Sequence, residues 1–297
     1  MSPSARTGRL LVFGAGPLGR ATARLFVGNG GTAAATSRDA DRRAALAREG
    51  FIPVDPQDPA DLAGAVAAAS AVLVTAPPDA DGCPGLKALT PVLGGAGVWP
   101  DWVGYVSSTA VYGDRNGGWA FEDDPLNAAT IPGARRVKAE RDWLDAGRGF
   151  GLTVQIFRLP GIYGPGRSPL DRLAEGTARR VTKPGQVFNR IHEDDAARGF
   201  FASMARPRPG GVYTLTDDEP CPADVVMEWA ATRLGLPLPP QVDWTDPSVS
   251  TEMRRFYLDS KRLSNARAKA ELGWRPLYPS YREGLEAILA GHTPPPG

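Results

Sequence analysis

Short apolar runs alternate with longer amphipathic stretches over most of the chain. The apolar runs predict strands at residues 10–13, 32–36, 51–54, 71–75, 102–107, 153–158 and 212–216. The stretches between them predict helices at residues 17–27, 41–49, 59–69, 86–93 and 134–146. Strands that alternate with helices pair in parallel through right-handed crossovers. The pattern therefore predicts an α/β fold with a doubly wound parallel sheet.

The pattern loosens after about residue 165, where loops lengthen and prolines become frequent. Helices are predicted again at residues 194–205, 223–234 and 264–272, with another near the end of the chain. We expect a smaller C-terminal region here. A helix and a strand within residues 194–216 are expected to return to the main sheet.

Composition excludes several classes of protein. The 34 Lys and Arg residues nearly balance the 33 Asp and Glu residues, which gives no support for nucleic-acid binding. Two cysteines and two histidines are too few for a disulfide framework or a histidine-rich metal site. The longest uncharged stretch, residues 62–78, falls short of a membrane span. We expect a cytoplasmic protein without a metal, nucleic-acid or membrane partner.

The first predicted strand leads into a glycine-rich loop, GAGPLG at residues 14–19. This GxGxxG spacing between a strand and a helix is typical of dinucleotide binding. Gly14 permits the tight turn, Gly16 lets the backbone approach a pyrophosphate, and Gly19 lets helix and strand pack closely. Pro17 suits the first helical position, and the start of the helix offers free N–H groups to phosphate.

The residues after the second strand bear on the choice of cofactor. Ser37 and Arg38 follow this strand directly, and a hydroxyl with a guanidinium suits the 2′-phosphate of NADP. The alternative is that Arg38 is a solvated surface charge and Asp39 binds the ribose of NAD. We predict NADP, with NAD the weaker alternative.

These observations predict a Rossmann domain that binds NADP over residues 7–165 and a smaller substrate-binding region over residues 166–297. The cofactor is expected to bind at the carboxyl ends of the strands. The candidate cofactor-binding residues are Gly14, Gly16, Pro17, Leu18, Gly19, Ser37, Arg38, Asp55, Ala76, Pro77, Pro160 and Ile162.

Five segments in order resemble the extended short-chain dehydrogenases/reductases. They are SSTAVYGD at 107–114, RLPGIYGPGR at 158–167, RIHEDD at 190–195, VYTLTDDEP at 212–220 and ELGW at 271–274. The resemblance covers nearly the whole chain. It is nearest to the atypical branch of proteins similar to NAD(P)-dependent epimerases and dehydratases.

The resemblance implies a set of catalytic residues, of which this chain has only some. In the family, a Ser or Thr before the VYG segment hydrogen-bonds the substrate oxygen, and Ser108 occupies that position. A Tyr-x-x-x-Lys pair on the next helix supplies the acid and base. This chain has no tyrosine between Tyr112 and Tyr163.

Two alignments of that helix are open. Aligning on Lys138 puts Ala134 at the tyrosine position. Aligning on Glu140 puts Arg136 at the lysine position and Pro132 at the tyrosine position. The family's proton donor is missing in both, and an arginine does not act as a general acid near neutral pH.

The candidate catalytic residues are Ser108, Tyr163, Arg136 and Lys138. Each has a structural alternative: Ser108 caps a strand end, Tyr163 packs in its loop, and one of the other two lies solvated on an amphipathic helix. Without the family's tyrosine, the proton comes from water or from a substitute side chain, of which Tyr163 is the first candidate.

The resemblance implies an NADP-dependent oxidoreductase that transfers a hydride to or from a carbonyl, imine or alcohol carbon of a small molecule. Two alternatives stay open. One is an NADPH-binding sensor or scaffold without turnover, and the other is a nucleotide-sugar epimerase or dehydratase. We expect a monomer or a homodimer.

Overall fold

The computed structural model describes residues 8–95 and 99–291. The strands in chain order are β1 (Arg9–Phe13), β2 (Thr32–Thr36), β3 (Ile52–Val54), β4 (Ala71–Val74), β5 (Trp102–Ser108), β6 (Trp119–Ala120), β7 (Val154–Leu159), β8 (Gly161–Tyr163), β9 (Arg180–Thr182), β10 (Arg190–His192), β11 (Val212–Thr214), β12 (Gln241–Asp243) and β13 (Arg262–Leu263). The helices are α1 (Pro17–Gly28), α2 (Ala40–Arg48), α3 (Pro59–Ala67), α4 (Pro84–Gly95), α5 (Ile131–Phe150), α6 (Pro169–Ala174), α7 (Glu193–Ala205), α8 (Ala223–Arg233), α9 (Thr251–Arg255), α10 (Ala266–Glu271) and α11 (Tyr281–Leu289), with a 3₁₀ turn at Thr109–Tyr112.

The central sheet contains seven parallel strands in the order β11-β7-β5-β4-β1-β2-β3. They are the seven strands that the sequence predicts, with small shifts at their ends. The strand order reverses between β1 and β4. In open α/β sheets, ligands bind outside the carboxyl ends of the strands at such a reversal. The doubly wound Rossmann fold is therefore confirmed, and it places a binding crevice above β1 and β4.

The second strand shows why position in the sheet overrides local preference. Alanine has low strand propensity, yet Ala33, Ala34 and Ala35 form β2 between β1 and β3. These three residues are buried because helices cover both faces of the sheet. Helices α1 and α7 pack over one face, and α3, α4 and α5 pack over the other.

Outside the central sheet, short strands pair two by two. These parallel pairs are β8 with β10, β9 with β12 and β6 with β13. An apolar cluster that includes Tyr163, Val226 and Leu285 joins β8 to α8 and α11. Farther along, β11 pairs with β7 at the edge of the central sheet, and α7 packs against α1. The predicted domain boundary at residue 165 stays a prediction, and its outer limits, residues 7 and 297, lie outside the described residues.

None of the helices in the described ranges has the length and apolar character needed to cross a bilayer. In the same residues, no group of three or more His, Cys, Asp or Glu side chains is placed to hold a metal ion.

Candidate cofactor and active-site cleft

The glycine loop adopts a backbone that its first and last glycines make possible. Gly14 has φ +106°, and a Cβ there would lie 2.8 Å from Thr75 Oγ1 and 2.9 Å from the backbone nitrogen of Ala76. A Cβ on Gly19 would lie 2.6 Å from the carbonyl oxygen of Gly14 and 2.8 Å from Val12 Cγ1. Side chains at these positions would therefore disrupt the turn or separate α1 from β1.

Gly16 differs from its neighbours because the space around it is open. A Cβ at Gly16 would meet no atom within 4 Å. The residue caps α1 without a side-chain hydrogen bond, and Pro17 follows at the first helical position. The start of α1 thus offers unused N–H groups beside free space. This arrangement fits the pyrophosphate of a dinucleotide.

In the loop after β2, the contacts of Asp39, the candidate for binding NAD, differ from those of Arg38, the candidate for binding NADP. The carboxylate of Asp39 caps α2 by accepting a hydrogen bond from the backbone of Arg42 at 2.8 Å. Ser37 Oγ accepts a hydrogen bond from the backbone nitrogen of Asp39 at 3.2 Å. Arg38 is exposed and makes no hydrogen bond or ion pair with any described residue. The guanidinium is therefore the uncommitted group of this loop.

The other candidates after β3 and β4 lie at the same edge of the sheet. Asp55 Oδ2 is 3.0 Å from Arg43 Nη1, which also donates to the carbonyl oxygen of Ser37 at 2.8 Å. The backbone nitrogen of Ala76 donates to the end of β1, and Pro77 is exposed. Arg43, which the sequence analysis did not single out, joins the ends of β2 and β3.

A cleft of about 270 Å³ brings much of the predicted site together. It lies at the carboxyl edge of the sheet, between the glycine loop and the loop that follows β7. Its lining includes eight of the predicted site residues, namely Gly16, Pro17, Leu18, Gly19, Ser108, Arg136, Pro160 and Ile162. Thr75, Val106, Ser107, Leu159 and Arg167 complete the lining.

Ser108 and Arg136 reach this cleft from two elements. Ser108 ends β5, and its Oγ accepts a hydrogen bond from the backbone nitrogen of Ala110 at 3.2 Å. Because the hydroxyl accepts this bond, its own proton stays available to a ligand. Arg136 projects from α5, and its Nη1 donates to the carbonyl oxygen of Val106 at 2.6 Å. Ser108 therefore caps a turn and lines the cleft at once.

A buried network beneath the cleft fixes the end of β5 against α5. Ser107 Oγ donates to Glu140 Oε1 at 2.5 Å, and Glu140 Oε2 lies 2.9 Å from Arg158 Nη2. Arg158 Nη1 also donates to the Tyr112 hydroxyl at 3.1 Å. Glu140 lies one helical turn after Arg136, so this buried pair also holds the helical turn that carries Arg136.

Lys138 is not brought to the cleft. Its ammonium group lies 2.5 Å from Asp142 Oδ2, one turn further along α5, and 61% of its side chain is exposed. Of the two basic candidates on this helix, Arg136 lines the cleft and Lys138 lies on the solvated face.

Tyr163 is not brought to the cleft either, although it adjoins Ile162, which lines it. The side chain of Tyr163 packs beneath α11 and is 7% exposed. A Cβ on Gly284 would lie 2.0 Å from its hydroxyl oxygen, which has no hydrogen-bond partner among the described residues. Burial, reinforced by Asp217, raises the pKa of this hydroxyl well above its usual range. The contacts of Tyr163 match the packing alternative rather than the proton-donor hypothesis.

His192 lies beside Tyr163, with ring centres 5.2 Å apart. Its Nδ1 accepts a hydrogen bond from the backbone nitrogen of Asp194 at 3.2 Å and so caps α7. Burial lowers its pKa to about 4, which keeps the ring neutral at pH 7. His192 thus stabilises the start of α7.

No protein-family model matches the chain. Among curated proteins, the chain is similar to a 3-diazoavenalumate denitrifying reductase of a Streptomyces species, at 30% identity over 175 residues. It is also similar to protein YeeZ of Escherichia coli K12, at 31% identity over 175 residues. These matches cover 54% and 59% of this chain and 54% and 58% of the relatives, so only a little over half of each relative is spanned.

Solved structures extend the comparison to almost the whole chain. A conserved protein of unknown function from Silicibacter pomeroyi has 43% identity and a TM-score of 0.89, with coverage of 96% of this chain and 99% of that one. A candidate NAD-dependent epimerase/dehydratase from Methylobacillus flagellatus has 26% identity and a TM-score of 0.68, with coverage of 96% and 98%. The glycine loop, the strand order and the similarity to the Methylobacillus flagellatus structure agree with the motif resemblance to the extended short-chain dehydrogenases/reductases that are similar to NAD-dependent epimerases and dehydratases.

Proposed function

We propose that this protein is an NADP-dependent oxidoreductase that transfers a hydride to or from a carbonyl, imine or alcohol carbon of a small molecule. The observation that carries the proposal is the shared cleft. Ser108 and Arg136 line it together with the open glycine Gly16 and the first residues of α1. A dinucleotide held by the loop would therefore lie against a hydroxyl and a guanidinium.

The preference for NADP is supported by the loop after β2. Asp39 is committed to capping α2, whereas Arg38 has no partner among the described residues. A guanidinium binds a phosphate through paired hydrogen bonds, and a free carboxylate would be needed for the ribose of NAD. The same arrangement would accept NAD more weakly.

In the proposed reaction, the cofactor, the side chains of the cleft and water have separate roles. A bound nicotinamide supplies or accepts the hydride. Ser108 donates a hydrogen bond to the reacting oxygen, and Arg136 places a fixed positive charge beside it. Within the described lining there is no carboxyl, imidazole or phenol group to act as a general acid. The proton therefore comes from water in a reduction and passes to water in an oxidation.

The test begins with calorimetric titration of NADPH and NADH, followed by a panel of small ketones, imines and nucleotide sugars. Tight NADPH binding and oxidation of NADPH by one member of the panel are expected. With that substrate, Arg136→Gln should lower kcat by about tenfold or more, because the fixed charge acts in the transition state. A protein that binds neither cofactor would contradict the proposal.

A nucleotide-sugar dehydratase or epimerase is the second candidate. It is favoured by similarity to the dTDP-glucose 4,6-dehydratase of Streptomyces griseus, at 28% identity over 201 residues. Conversion of dTDP-glucose without net consumption of cofactor would identify it. The sensor alternative is not favoured, since curated relatives carry the names of a reductase and a dehydratase.

A further inference from the structure

Arg167 lines the same cleft, and the sequence analysis gave it no role. Its Nη2 lies 3.3 Å from Glu193 Oε2, which is its only ion pair with a described residue. The Arg167 side chain keeps 37% of its surface exposed. Most of its hydrogen-bonding capacity is therefore unused, in a cleft that Gly16 and Pro17 also line.

The backbone of Arg167 is held in place on both sides. Its nitrogen donates to the carbonyl oxygen of Gly164 at 3.0 Å, and Gly166 takes φ +73° in the turn between them. Ser168 follows immediately and forms a capping box with Asp171 at the start of α6. Only the side chain of Arg167 is free to reorient.

Glu193 can lose Arg167 without becoming an isolated buried charge. Its side chain fills the space that a Cβ on Gly164 would take, 2.7 Å from the carboxyl carbon. Burial raises the pKa of this carboxyl group, and Arg20 and Arg24 on α1 act against that rise electrostatically. Glu193 is moreover the first residue of α7, where the helix dipole favours a negative charge.

We infer that Arg167 binds the pyrophosphate of the dinucleotide and that Glu193 holds the side chain when no cofactor is present. The inference rests on the cofactor part of the proposed function. The glycine loop supplies N–H groups but no cation, and a pyrophosphate carries two negative charges. The other cation lining the described cleft is Arg136, which lies beside Ser108. A guanidinium from the opposite wall would complete the phosphate site through paired hydrogen bonds.

An anionic group of the substrate has the same chemistry, so the experiment separates the two sources. Calorimetry measures the Kd of NADPH and of 2′-AMP, which has the 2′-phosphate but no pyrophosphate. Arg167→Ala should raise the Kd of NADPH about tenfold and leave that of 2′-AMP unchanged. Arg167→Lys should fall between Arg167→Ala and the wild type, since it keeps the charge without the paired geometry.

Glu193→Gln should strengthen NADPH binding, whereas Arg167→Ala should weaken it. Releasing Arg167 from its partially exposed ion pair should lower the Kd of NADPH by about two- to fivefold. Arg172→Ala, an exposed arginine on α6, is the matched control and should change neither Kd. Thermal melts verify that each variant is folded.

The outcomes distinguish this inference from the proposed function. A wild-type protein that does not bind NADPH contradicts the proposed function itself. If the wild type binds NADPH and folded Arg167→Ala binds it equally well, the inference alone is wrong. If Arg167→Ala changes only kcat/KM for an anionic substrate, Arg167 serves the substrate and the pyrophosphate assignment is overturned.

Discussion

Ile162 and Tyr163 are neighbours on β8, yet their side chains enter two opposite environments. Ile162 faces the open cleft, where Ser108 has a free hydroxyl proton and Arg136 makes one backbone hydrogen bond. Tyr163 faces a closed region beneath α11, where packing leaves no space around its hydroxyl. Successive side chains of a strand point to opposite faces, so a single motif contributes to both regions.

The closed region around Tyr163 also differs from the cleft in its effect on the pKa of carboxyl groups. Burial raises the pKa of Asp217 to about 8, against the lowering effects of Arg190 and of a backbone hydrogen bond from Glu219. Burial likewise raises the pKa of Asp195 to about 7. Desolvation therefore disfavours charge here, whereas the cleft keeps its polar groups beside free space. Unpaired polar atoms indicate chemistry only where a ligand can reach them.

The largest effect is expected from Gly16→Val at the start of α1. The open space around Gly16 accommodates the side chain in the free protein, so the fold should survive. The same side chain would occupy the volume required by a pyrophosphate and should abolish NADPH binding. Titration of NADPH fluorescence checks this, with Gly28→Val in the same helix as a control, because Gly28 is also unobstructed. Retained binding by a folded Gly16→Val protein would remove the glycine loop from the site.

Ser108→Ala tests the catalytic half of the cleft. A hydrogen bond to the reacting oxygen strengthens as charge develops in the transition state. Its loss should lower kcat about a hundredfold, with the Kd of NADPH unchanged. Steady-state kinetics and calorimetry on the same samples measure the two quantities. A fall in NADPH affinity with normal kcat would assign Ser108 to cofactor binding instead.

Sequence pattern predicted the central sheet well because its strands alternate with helices along the chain, which marks even the three-residue strands β3 and β11. Even TAAAT in β2 was identified from its place in the alternation. The pairs β8–β10, β9–β12 and β6–β13 were not predicted. Their strands have only two or three residues and lie outside the alternation of apolar runs and helices that marks the central sheet. Such strands form because distant segments meet, which local sequence does not encode.

The residues of the candidate site also differ in whether the sequence predicts them. The glycine loop follows from motif spacing and Ser108 and Arg136 follow from the family resemblance, and residues 16–19, Ser108 and Arg136 line the cleft. The roles of Glu140 and Arg167 depend on partners 18 and 26 residues away, so spacing alone gave no signal for them. Tyr163 shows the reverse error, since a residue inside a motif can face away from the site that the motif builds.

The next prediction concerns Arg38, at the far end of the candidate cofactor site. Arg38→Ala should weaken NADPH binding by about ten- to a hundredfold and NADH binding far less, because only NADPH carries the 2′-phosphate. Arg48→Ala, in the last turn of α2, is the matched control. Equal affinities of the wild type for NADPH and NADH would reject the predicted NADP preference.

The smallest effect is expected from Tyr163→Phe, in the closed region. With the proton coming from water, kcat should stay within about twofold of the wild type, since the loss of a general acid typically costs at least a hundredfold. Stability should hold or rise, because the substitution removes a buried hydroxyl without a described partner.

Tyr112→Phe gives the matched contrast to Tyr163→Phe. The Tyr112 hydroxyl is 2.9 Å from Thr214 Oγ1 and accepts a hydrogen bond from Arg158, so its removal should lower the free energy of unfolding by about 1–2 kcal/mol. Urea unfolding and steady-state kinetics on both variants complete the comparison. A loss of kcat in Tyr163→Phe as large as that in Ser108→Ala would restore Tyr163 as the proton donor, and it would require β8 to rearrange when substrate binds.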